Sequence, residues 1–169
     1  PLDWELPFVA WMVIPYYSFY LYFPWAAWVG AAEEHREHGL LFFQRLIASA
    51  WVAFACFLIF PVEIELRSQA LDAEGLFGWM MSALHEADTP YNAWPSIHVL
   101  LSILVVLFVR HIGVKDGTWS APKALVVWVS CALLVASTAL IKQHYVFDGI
   151  TGTALAFGLW YGWIRPALS

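Results

Sequence analysis

Five stretches of this chain, residues 6–29, 40–60, 95–111, 125–141 and 147–164, are long and apolar enough to cross a lipid bilayer, which takes about 20 helical residues. In hydrocarbon every backbone polar group must be satisfied within the protein, so runs of this length read as helices. Charged residues make up 12% of the chain, against about 25% in a soluble domain. The expected fold is therefore all-α: one membrane-embedded domain over residues 1–169, a polytopic helical bundle of about five to six transmembrane helices. Pro1 in place of methionine reads as a processed or trimmed start, which leaves room for the sixth helix. Cys56 and Cys131 fall inside apolar runs and read as small hydrophobes, not as disulfide partners.

Local signals refine this plan. Pro15 and Pro24 should kink the first span. Gly149, Gly152, Gly158 and Gly162 should let a neighbouring helix approach the last one closely. The polar stretch 61–94 is long for a simple connection, which marks it as functional, and it has room for an amphipathic helix near 76–85. His35 and His38, among Glu33, Glu34, Arg36 and Glu37, read as part of a solvated charged turn. Tyr16, Tyr17, Tyr20 and Tyr22 read as lining lipid or neighbouring helices.

Alternating the five spans across a bilayer sorts the charges. Arg36, Arg45, Arg110, Lys115, Lys123 and Arg165 fall at one face, leaving Arg67 and Lys142 at the other. Positive residues stay cytoplasmic, so the second face should point to the periplasm or outside. The localisation expected is integral membrane, of the bacterial inner-membrane type. No basic stripe exists for a nucleic acid. The outward face also collects Ser96, His98, Ser137, His144 and Asp148. If the residues after Gln143 are helical, His144 and Asp148 are four apart on one face and the carboxylate reaches the imidazole.

Pro95-Ser96-Ile97-His98, together with Ser137-Thr138 and, five residues further on, His144 and Asp148, resembles the second and third signatures of the type 2 phosphatidic acid phosphatase superfamily. The stretch from Asn92 to His98 and the run Lys142-Gln143-His144-Tyr145 are most similar to the branch that holds inositol phosphorylceramide synthase and many bacterial membrane phosphatases. The likeness covers roughly residue 61 to the end. Ile97 stands where that family has glycine in its phosphate-binding loop, and Thr138 where it has arginine. Its first signature is represented by Arg67, with Phe60 in the place of a lysine and Ser68 in that of a proline. The resemblance implies a phosphohistidine mechanism that needs neither metal nor cofactor.

The residue types suit that chemistry on their own terms. Phosphoryl transfer needs a nucleophile, a proton donor for the leaving oxygen and positive charge around the equatorial oxygens. His144 is the expected nucleophile, oriented by Asp148; His98 is the general acid, then the base that activates water. Ser96, Ser137, Arg67 and Lys142 are expected at the phosphoryl oxygens. Blander roles compete. Ser137 can bond back to its own helix, Lys142 can anchor at the interface, and Arg67 can pair with Glu63 or Glu65. Two histidines and a carboxylate are also zinc ligands.

The expected activity is a lipid phosphatase acting on a phosphate monoester or pyrophosphate: a phosphatidate, a phosphatidylglycerol phosphate or a polyprenyl pyrophosphate. The first alternative is a phosphotransferase that passes the group to an alcohol or lipid. The second is a non-catalytic lipid-binding protein. Partners are then a lipid phosphate and membrane lipids, with the oligomeric state open.

Overall fold

The computed structural model describes residues 2–70 and 74–169. Eight α-helices lie among them: α1 (Leu2–Glu5), α2 (Val13–Tyr17), α3 (Phe19–Gly30), α4 (Arg36–Ile59), α5 (Gly75–Ala87), α6 (Ile97–Lys115), α7 (Ala121–Leu140) and α8 (Val146–Leu159). No strand occurs among the described residues; one isolated antiparallel bridge joins Glu63 to Tyr91. Three helical segments, Glu33–Ile59, Ile97–Lys115 and Ala121–Leu140, are long and apolar enough to cross a membrane.

The two remaining stretches expected to span are helical but interrupted. The first breaks at Ser18, whose hydroxyl donates to the Pro15 carbonyl. It continues as α3, in which Pro24 has no N–H to offer the preceding turn. The last runs as α8 into a π-helical turn, Trp160–Ile164, and then a 3-10 turn, Arg165–Leu168.

Helix α6 is the centre. It is apolar on every side, and every residue from Val99 to Val109 is buried, as befits a helix surrounded by others. Helices α3, α4, α7 and α8 pack around it. Their outer faces carry exposed apolar side chains such as Trp28, Leu58, Leu125, Val126 and Ile150, as an exterior suited to an apolar solvent would.

Of the four glycines in the last stretch, Gly152 alone meets a neighbour. A Cβ there would lie 2.7 Å from the Ser96 carbonyl oxygen, while Gly149, Gly158 and Gly162 face open space. Directly above, the Ser96 N–H donates to the Asp148 carbonyl at 3.1 Å. The starts of α6 and α8 are thereby locked together. At the other end His35 is buried, and its Nε2 donates to Asp116 Oδ2 at 2.8 Å, tying the α3–α4 link to the end of α6. It is not the solvated residue that its charged neighbours suggested, because α6 ends against it.

Residues 61–70 and 74–94 fold over one end of the bundle as a cap. The Ile64 N–H donates to the Pro90 carbonyl, and Met81 and Leu84 of α5 pack on Met12, Val13, Tyr16 and Ile141. The cap is what brings Arg67 and Asp88 over the helix ends.

Gly152→Ala is expected to destabilise the protein by about 1–3 kcal/mol, because a backbone oxygen cannot yield cheaply to the new methyl. Gly158→Ala, exposed in the same helix, should stabilise it by about 0.5–1 kcal/mol. Thermal unfolding in detergent reads both signs.

Candidate active site

His98 enters the site as the second residue of α6, whose first turn is capped by Ser96. The Ser96 Oγ accepts from the Val99 N–H at 3.4 Å and is fully buried, so this hydroxyl serves the helix. His144 arrives differently, on the turn between α7 and α8. There Lys142 adopts a left-handed φ of +63°. Its N–H donates to the Ala139 carbonyl and that of Gln143 to the Thr138 carbonyl, the paired bonds that close a helix C-terminus in a Schellman motif. The His144 N–H also donates to the Thr138 carbonyl, at 2.9 Å, which fixes its backbone.

Glycine usually takes the left-handed position, and a lysine persists there because its side chain is used. The buried Nζ donates to the Asp3 carbonyl at 2.8 Å and the Leu6 carbonyl at 2.7 Å. Asp3 Oδ1 in turn accepts from the Val146 N–H at 2.7 Å. The N-terminal segment is thus clamped onto the turn that carries His144. Lys142 faces that segment, away from the cavity that holds the histidines.

The two histidines, 46 residues apart, meet with His144 Nε2 3.4 Å from His98 Nδ1. His144 Nδ1 donates to the Ala93 carbonyl at 3.1 Å. Asp148 Oδ2 stands 3.6 Å from that nitrogen, near enough to act by charge but beyond a hydrogen bond. Helix α8 begins only at Val146, and the Asp148 carboxylate also accepts from the Tyr145 N–H at 2.9 Å, so it meets the imidazole by charge and not by a hydrogen bond. A neutral His144 bonded through Nδ1–H to a carbonyl presents the lone pair of Nε2 toward His98.

Two residues that no local spacing revealed complete the chain. The buried Tyr16 places its hydroxyl 3.0 Å from His98 Nε2 and donates to Asp88 Oδ2 at 3.2 Å. From the Ala93 carbonyl through His144, His98 and Tyr16 to Asp88 there are four links, each needing one proton. Two neutral imidazoles and a phenol supply three. In the neutral chain one of the four links therefore lacks a proton.

Arg67 and Gln143 line the same cavity, of about 260 Å³, with Ile97, Phe54 and Phe57. Arg67 donates through Nη1 to the Asp88 carbonyl and through Nη2 to the Thr89 carbonyl and Gln143 Oε1. Its half-buried guanidinium has its pKa lowered by desolvation and pulled back up by Asp88; it stays cationic. Arg67 Nε and Gln143 Nε2 are buried without acceptors. Two surplus donors beside two imidazoles make a cavity short of an anion. The pairing of Arg67 with Glu63 or Glu65 does not occur.

Ser137 donates to the Leu134 carbonyl of its own helix, at 2.6 Å, and does not line the cavity. Of the residues expected at phosphate, Arg67 and Ile97 are therefore at the cavity, while Ser96, Ser137 and Lys142 are engaged elsewhere. Among the described residues no group of three or more His, Cys, Asp or Glu is placed to hold a metal ion. No family model, curated protein or solved structure matches this chain.

Lys142→Met is expected to cost about 2 kcal/mol, since it strands two carbonyls that a charged donor now satisfies. Lys142→Gly should cost about 1 kcal/mol less, despite removing more atoms, because glycine relieves the left-handed backbone. Unfolding midpoints of the two variants, compared with each other, test the ordering.

Proposed function

We propose that this protein is an integral-membrane lipid phosphatase that hydrolyses a phosphate monoester or pyrophosphate through a phosphohistidine on His144. The observation that carries the reading is the meeting of His144 Nε2 and His98 at a cavity whose Arg67 and Gln143 hold unpartnered donors. The motif resemblance of residues 95–98 and 137–148 points the same way.

His144 Nε2 attacks phosphorus while His98 protonates the departing oxygen; His98 then takes a proton from water as it attacks the phosphohistidine. Arg67 and the Gln143 amide hold the equatorial oxygens. Ala93 fixes the nucleophile's tautomer, and the nearby Asp148 charge offsets the imidazolium that forms. An in-line reaction places phosphorus about 3 Å from the nucleophile, with a further hydrogen bond of about 2.8 Å at the leaving oxygen. The 3.4 Å between the rings is too short for that, so substrate must part them.

The substrate is a lipid on this reading because apolar walls adjoin the cavity. Phe54 and Phe57 of α4 line it directly. A second cavity of about 440 Å³, flanking His144 through Tyr145 and Asp148, is walled by Phe60, Val62, Trp94 and Phe147. In a five-span bundle the cavity would lie at the end poor in Lys and Arg, which supports a site outside the cytoplasm.

Purified protein in detergent should release phosphate from lipid phosphates, and His144→Ala should lower turnover by about a thousandfold or more, with His98→Ala losing about 10²–10⁴-fold. Release that survives unchanged in His144→Ala sinks the reading. Tyr16→Phe should slow turnover about tenfold with little change in KM, having lost one hydrogen bond to the acid.

A further inference from the structure

The far end of the bundle holds a second site built for an anion. A cavity of about 550 Å³ is lined there by His38 of α4, Arg110, His111 and Lys115 of α6, and Tyr161 and Arg165 beyond α8, and no Asp or Glu lines it. None of its three Lys and Arg residues forms an ion pair among the described residues. Lys115 Nζ lies 3.4 Å from His38 Nε2. An ammonium can only donate, so Nε2 accepts and the proton sits on His38 Nδ1. That Nδ1 is buried without an acceptor. The helix after α8 widens into its π turn at this point, and Arg165 lies over the Tyr161 ring, 5.8 Å from its centroid.

Lysines and arginines that merely anchor a helix spread outward along its apolar face. These three instead converge from two elements on one concave space, where they repel one another unless a counter-charge enters. We propose that this cavity binds a phosphate group, supplied by the headgroup of an anionic phospholipid in the leaflet at that end. The cavity is separate from the histidine pair: Arg110 follows His98 by 12 residues, roughly 18 Å along the axis of α6. The inference rests on the bundle crossing a membrane and not on the catalytic reading.

The test is a binding titration of the purified chain in neutral detergent, read by tryptophan fluorescence. The probes are short-chain phosphatidylglycerol, short-chain phosphatidylcholine and inorganic phosphate. Phosphatidylglycerol should bind, with Arg110→Gln, Lys115→Gln and Arg165→Gln each weakening it roughly fivefold, and Lys123→Gln, an exposed lysine that does not line this cavity, leaving it unchanged. All three residues are exposed, so neutralising them spares the core. Inorganic phosphate binding with the same charge dependence would identify a free anion as the source and keep the site. Equal binding of the anionic and the zwitterionic lipid, or binding indifferent to all three substitutions, would overturn the proposal.

Discussion

The hydrogen bond from the Ser96 N–H to the Asp148 carbonyl, made possible by the missing side chain of Gly152, is the contact on which the site depends. It joins the first turn of α6 to the first turn of α8, and each turn lies within a few residues of one histidine. Neither histidine is held by its own helix alone. His98 takes its position from α6, buried on all sides, while His144 sits on a turn fixed by the Thr138 carbonyl and the Lys142 clamp. Elsewhere a shift of an ångström in helix packing passes unnoticed; here it would separate the two imidazoles.

Around that contact the polar groups divide into those that serve the backbone and those left over. Ser96, Ser137, Lys142 and one oxygen of Asp148 are occupied by caps, helix carbonyls and the N-terminal segment. Arg67 Nε and Gln143 Nε2 are not. In a site of low dielectric this leftover set decides what enters, because an unmet donor is costly until a ligand meets it. The same reasoning distinguishes the two ends of the bundle. One carries a single arginine beside a hydrogen-bonded chain of two histidines, a tyrosine and an aspartate, and the other gathers three cations with no such chain.

Much of the helical plan was legible from hydropathy: α4, α6 and α7 fall within a few residues of the predicted runs. The first run was legible as helical and kinked at its prolines, but not as broken at Ser18, whose hydroxyl bonds back to the Pro15 carbonyl. The histidines were legible because their neighbours form compact motifs. Their partners were not. Tyr16 and Asp88 lie 72 residues apart and meet only once α5 has folded back over α2. Asp148 stands by His144 as the spacing of four suggested, though its capping bond keeps it to a charge contact, and Ala93 contributes the hydrogen-bonding carbonyl, which no side-chain pattern can reveal. Lysine and serine were read as phosphate ligands from their chemistry, whereas backbone groups nearer to hand claimed them first.

The clamp at Lys142 has a consequence for how the protein comes into being. Its ammonium grips carbonyls 139 and 136 residues earlier in the chain, so Asp3 and Leu6 cannot take their final places until residue 142 has been made. During synthesis these residues stay undocked until the turn after α7 has formed. The turn bearing His144 acquires its final shape only on their return. A chain cut short before residue 142 would lack both the clamp and His144, and His98 would have no second imidazole to meet.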